Sequence, residues 1–126
     1  MRKIKKNILI IDDEQINRTL IKMVISRLNN FNIKIFEAET GKEALNLIEN
    51  QKFNIILLDL LLPDINGISL IDEIFKHNEN TKLFIVSALS EKESGFNEIK
   101  SKNIKYISKP FDINYFKEIL QEALKS

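Results

Sequence analysis

Three carboxylates, one hydroxyl and one ammonium sit at the ends of short apolar runs in this sequence. Asp12 and Asp13 follow NILII (7–11), and Asp59 ends FNIILLD (53–59). Ser87 lies at the end of KLFIVSA (82–88), beside the small Ala88, and Lys109 stands in IKYISKP (104–110). If those runs are neighbouring strands, the five groups meet at one edge of a sheet. Two like charges about 4 Å apart cost roughly 4 kcal/mol at an effective dielectric near 20. A cation, a shared proton or displacement must relieve that cost. An oxygen-only set with no His or Cys nearby suits Mg2+, which keeps several waters and also grips phosphate oxygens. Lys109 could neutralise phosphoryl oxygens, and Ser87 could donate a hydrogen bond to one. Asp59 is then either a third metal ligand or a nucleophile, because carboxylates attack phosphorus to give aspartyl phosphates. Metal and lysine would stabilise the charge that develops in transfer.

Each residue alone has an ordinary explanation. Asp12 and Asp13 suit a helix N-cap and first turn, where the helix dipole favours acids. Ser87 alone reads as a strand-end hydroxyl, and Lys109 alone as a solvated side chain. Asp59 resists such a reading, because a carboxylate at the end of a buried strand needs partners. Five suitable groups at four strand ends outweigh the separate explanations.

The elements that must position them alternate regularly. After NILII, residues 14–28 place Ile16, Leu20, Met23, Val24 and the stem of Arg27 on one helical stripe. IKIFEA (33–38) is a short strand. Thr40 and Glu43 have capping-box spacing for a helix to about Glu49 that buries Ala44, Leu45 and Ile48. The run 53–59 is apolar on both faces, as in a central parallel strand covered on each side. PDING (63–67) is turn chemistry, and 68–78 reads as the next helix. The strand 82–88 precedes a weaker helix over 90–100, interrupted by Gly95. The strand 104–110 and a helix over 113–124 close the chain. Five βα units argue for an α/β fold, a doubly wound parallel sheet with helices on both faces. Ligands in such sheets bind outside the carboxyl ends of the strands.

At 126 residues this is one domain, 1–126, with one real core. Its 44% apolar and 29% charged residues are those of a globular protein, and the formal charge of +1 sets up no strong field toward nucleic acid or membrane. The absence of cysteine excludes disulfide and thiolate chemistry. The basic start is no signal peptide, since its apolar part is short and runs into three acids. No run approaches transmembrane length, and the expected compartment is the cytoplasm.

At these residues the chain resembles the receiver domains of two-component response regulators, over essentially its whole length. The paired acids after the first strand appear as ILIIDDE. The acceptor segment appears as IILLDLLLPDING, the strand-four hydroxyl as VSA, and the Lys-Pro signature as YISKPFD. EAETGKEAL is similar to the family's second strand and second helix. The resemblance implies a flavodoxin-like (βα)5 sheet of strand order 2-1-3-4-5. It implies phosphorylation at Asp59, with Mg2+ held by the side chains of Asp13 and Asp59, by Asp12 mainly through a water, and by the carbonyl of Leu61. Ser87 and Lys109 would contact the phosphoryl group. Ser87 would move toward it and Tyr106 would swing inward behind it, switching a surface made by the fourth helix, fifth strand and fifth helix. The implied donor is a histidine kinase or histidine phosphotransfer protein, the recipient of the signal a downstream protein, and a homodimer is compatible with both. The domain would catalyse its own phosphorylation and slow dephosphorylation rather than turn over as a conventional enzyme.

The sequence departs from the family pattern at Leu62, Ile65 and Asn66, and more visibly at Lys102 and Asn103, where a Gly-Ala pair is usual. With Gly95 this points to an unusual fourth helix. Leu61, bulky and apolar two residues after the acceptor, is expected to shield an acyl phosphate from water. The off-stripe Ile21 and Ile25 either form a docking surface for the phosphoryl donor or extend the helix–sheet contact. The stand-alone form of the domain is expected ahead of a receiver excised from a transcription factor or hybrid kinase. Two other classes fit less well. A phosphorylation-independent adaptor should lack Asp59, Lys109 or the acid pair, and a hydrolase needs a second activating acid and a covering element.

Overall fold

The computed structural model describes residues 3–90, 93 and 103–125. Within them the strands are β1 (Ile4–Ile11), β2 (Phe31–Ala38), β3 (Ile55–Leu58), β4 (Lys82–Ser87) and β5 (Ile104–Ser108). The helices are α1 (Gln15–Ile25), α2 (Gly41–Asn50), α3 (Gly67–His77) and α4 (Ile113–Leu124). All neighbouring strands are parallel, in the order β2-β1-β3-β4-β5. This is the flavodoxin-like order implied by the resemblance. The expected helix over 90–100, with Gly95, and the substitution at Lys102 lie outside the described residues, apart from residues 90 and 93.

Every residue of β3 is buried, and its side chains alternate between two cores. Ile55 and Leu57 face α1 and α4 with Ile8, Ile10, Val24, Phe116 and Leu120. Ile56 and Leu58 face α2 and α3 with Leu9, Ile11, Ala44, Ile48, Leu70 and Ile74. That is why a strand with no polar alternation is stable here: neither face meets water.

Two local expectations were altered by the tertiary structure. α1 buries Arg18, Ile21, Val24 and Ile25, whereas Ile16 is 75% and Met23 53% exposed, and Leu20 is exposed as well. The helix carries two apolar stripes that share Val24. Neighbouring residues lie about 100° apart around a helix, so hydrophobicity alone does not choose between them. The sheet selects the stripe with Ile21 and Ile25, so these two extend the helix–sheet contact and belong to the core. β1 and β2 also begin earlier than their apolar runs. Ile4–Lys6 pair with Phe31–Ile33 in a two-stranded extension beyond the start of β3, where Lys side chains can face water.

α2 shows the expected cap, with Thr40 Oγ1 accepting from Glu43 N at 3.1 Å. The returning Glu43 carboxylate accepts from Glu39 N at 3.3 Å, one residue before the cap. Asp64 adds a second tie, accepting from Gly41 N at 2.8 Å and Lys42 N at 3.0 Å. These backbone hydrogen bonds, Gly41's foremost, hold its carboxyl below the usual carboxylate range. The loop after β3 is thereby fastened to the start of α2.

Candidate functional site

The carboxyl ends of β1, β3, β4 and β5 converge. Asp12 is 2% exposed, its N–H donating to Ala38 O at the end of β2. Asp59 is 6% exposed, its N–H donating to Ile11 O at the end of β1. Lys109 follows β5, its N–H donating to Ser87 O at the end of β4. These ladder extensions fix the three backbones relative to one another, so the side chains start from one rim.

Lys109 Nζ donates to Asp12 Oδ2 and to Asp59 Oδ2, both at 2.9 Å. Burial by itself would lower the lysine pKa. The hydrogen bonds and charges of the two aspartates outweigh that effect and raise it above the ordinary lysine value. The other carboxylate oxygens are held locally: Asp12 Oδ1 accepts from Glu14 N at 2.9 Å and Asp59 Oδ1 from Leu61 N at 3.0 Å. Lys109–Pro110 is a cis peptide bond.

One oxygen from each of Asp12, Asp13 and Glu14 lies within 4.8 Å of the others, and Asp13 and Glu14 are exposed. Glu14 carried no expectation in the sequence, although DDE is a visible acidic run. Asp59 joins this group through Lys109 rather than through the oxygen cluster. Among the described residues, the rim gathers four carboxylates, of which Asp12 and Asp59 pair with the Lys109 ammonium. A hard, oxygen-seeking divalent cation fits that donor set and that charge excess, and softer metals that prefer nitrogen or sulfur do not.

The remaining expected residues fall into two groups. Leu61 forms an isolated antiparallel bridge with Asn66, and it is half exposed. Ser87 is fully buried, its Oγ accepting from Leu89 N at 3.3 Å. Tyr106 is half-buried against the α2/α3 core, and its hydroxyl donates to the carbonyl of Leu89. Ser87 and Tyr106 thus grip the same residue, Leu89, from its N–H and its C=O.

Arg18 also carried no sequence expectation. Its side chain is buried and donates through Nη1 to Asp12 O at 2.8 Å, through Nε to Glu37 at 3.0 Å and through Nη2 to Glu39 at 3.1 Å. The available signal was its spacing of three and seven residues from Ile21 and Ile25 on the buried stripe. Burial pushes the Glu37 carboxyl up, but hydrogen bonds and charges from Lys22 and Arg18 bring it below the usual range.

A five-stranded 2-1-3-4-5 sheet with acids and a lysine at its carboxyl rim defines a class of phosphoacceptor domain, and comparison with known proteins agrees. The profile of the response regulator receiver domain family matches residues 8–121. The chemotaxis protein CheY of Thermotoga maritima is 31% identical over 120 residues, covering 95% of this chain and 98% of that protein. A CheY-like receiver domain from Methanospirillum hungatei superposes with a TM-score of 0.81 at 29% identity, covering 95% of this chain and 94% of the other. The receiver domain of the sensor histidine kinase PA1611 of Pseudomonas aeruginosa, solved with a magnesium ion in its active-site cleft, gives 0.78 at 26% identity over 97% and 99%. The chain belongs to the response regulator receiver domain family, and it is a phosphoacceptor in two-component signalling. Among the described residues, no helix is long and apolar enough to cross a membrane.

Proposed function

We propose that Asp59 is the residue that accepts the phosphoryl group, from a phosphohistidine donor. The observation that carries this reading is the sharing of one ammonium, Lys109, between Asp59 and Asp12 at the rim of the sheet. In the transfer, a carboxylate oxygen of Asp59 forms a bond to phosphorus as the phosphorus–nitrogen bond of the donor breaks, and the electron pair leaves with the imidazole. Lys109 already lies against Asp59 and meets the charge on the phosphoryl oxygens without first being recruited from solvent. Asp13 and Asp59, with the carbonyl of Leu61 and with Asp12 mainly through a water, would hold Mg2+. The ion when bound neutralises phosphoryl charge and aligns donor and acceptor. Ser87 follows a phosphoryl oxygen through its hydroxyl. The shared grip on Leu89 lets that displacement reach Tyr106, a two-state element which phosphorylation biases.

The donor docks on the stripe of α1 that the sheet leaves out. Ile16, Leu20 and Met23 are exposed there, next to a groove of about 390 Å³ lined by Leu20, Ala88, Pro110, Phe111 and Ile113. Lys109 also lines that groove, so an apolar helix face seated in it would present its histidine close to the acidic rim.

The test is incubation with a small acyl-phosphate donor and Mg2+, read by intact mass. One phosphoryl increment is expected, absent in Asp59→Asn and absent without the metal. In a second arm, Leu20→Asp should slow transfer from a phosphohistidine protein and leave the acyl-phosphate reaction unchanged. A folded, Mg2+-binding protein that gains no mass would instead be a phosphorylation-independent adaptor.

A further inference from the structure

We propose that Arg18 is a positioning residue for the cation site, setting the peptide between Asp12 and Asp13 so that both acids face the same ion. The proposal rests on the Mg2+ reading above. Arg18 is 5% exposed, an uncommon place for a guanidinium, and its three nitrogens are spread over three acceptors. One of these is the carbonyl of Asp12, which is the oxygen of the Asp12–Asp13 peptide itself. The other two, Glu37 and Glu39, flank Ala38, whose carbonyl accepts the N–H of Asp12. The Asp12 backbone is therefore held on both sides from the end of β2: directly through Ala38, and through Arg18 as a bridge. With the peptide plane pinned, the position of the Asp13 Cα, from which its side chain starts, is pinned as well. Arg18 touches no reacting atom. It acts through the backbone that carries the acids, as partners outside a metal's own ligands commonly do.

A charge effect and a positioning effect have opposite signs here, which makes the proposal testable. Removing a nearby positive charge, considered by itself, strengthens cation binding by relieving Coulomb repulsion. Removing a positioning residue weakens it. Mg2+ affinity is measured by isothermal titration calorimetry on wild type, Arg18→Met and Arg18→Lys, with folding checked by circular dichroism. The lysine variant keeps the charge and protects against loss of fold, but one ammonium cannot span the three acceptors. Both variants are expected to bind Mg2+ on the order of tenfold more weakly, with acyl-phosphate phosphorylation recovering at saturating Mg2+. Unchanged or tighter binding in a folded variant overturns the role of Arg18 and leaves the Mg2+ reading intact. Wild type that binds no Mg2+ overturns both.

Discussion

Leu61 and Asp59 are joined by a hydrogen bond, the N–H of Leu61 donating to Asp59 Oδ1, yet the Leu61 side chain is 52% exposed. An apolar side chain at the mouth of the site contributes little to the core. Two residues after the proposed acceptor, it is expected to shield an acyl phosphate at Asp59 from water. Leu61→Asn replaces that cover with a group that hydrogen-bonds water, and is expected to speed loss of the phosphoryl group severalfold. Decay of the phosphorylated form, followed by mass after removal of the donor, measures it; equal decay rates would remove the shielding role. At the same scale Lys109 settles a conflict posed by the residue types. Three acids near one another look unstable, and the lysine from a distant strand makes two of them neighbours of one cation. Its own partners had to be found in space, 97 and 50 residues away along the chain.

The loop after β3 and the start of α3 are fitted to each other at the level of elements. A Cβ placed on Gly67 would lie 2.6 Å from Leu60 Cα and 2.9 Å from Leu60 O, both backbone atoms that cannot turn aside. Glycine is required at the start of α3 by this close approach. Gly67→Ala must push the helix away from the loop after β3, and is expected to cost about 1–3 kcal/mol. A lower urea midpoint with an unchanged slope is the measurement, and an equal midpoint would show that the loop yields freely. Gly41, at the start of α2, meets the tip of the same loop, its added Cβ falling 1.8 Å from Ile65 Cγ2. With Asp64 on the amides of Gly41 and Lys42, the tip of the loop is fixed to α2 while its base carries Asp59. α1 illustrates a different element-level choice. Both of its stripes are apolar, so the sheet, by taking Ile21 and Ile25, leaves Ile16, Leu20 and Met23 exposed.

For the whole molecule, the rim is where stability and function share the same charges. The raised pKa of Lys109 means that folding favours its protonated form. That contribution is complete below the unfolded lysine value of about 10.4 and is lost as pH rises through the higher folded value. The difference in unfolding free energy between wild type and Lys109→Met should therefore stay level between about pH 7 and 9 and change only in the alkaline range. Urea midpoints of the two proteins across pH test this. A difference that falls away near neutral pH would mean that the ion pair does not form as described.

Much of this was legible in the residues. The βα alternation, the doubly apolar β3, the Thr40 cap and the acids and lysine at strand ends all follow from periodicity and side-chain chemistry, which are local properties. The order of strands came from resemblance and was borne out by the sheet. Tertiary structure alone decided the rest. It selected between two equally apolar stripes of α1 and buried Arg18 among three acceptors. It brought Asp12 and Asp59 onto one ammonium and gave Ser87 and Tyr106 a common partner in Leu89. Each of those outcomes includes at least one contact between residues far apart in the chain. A linear pattern specifies which groups are present at the rim, and only packing specifies which of them touch.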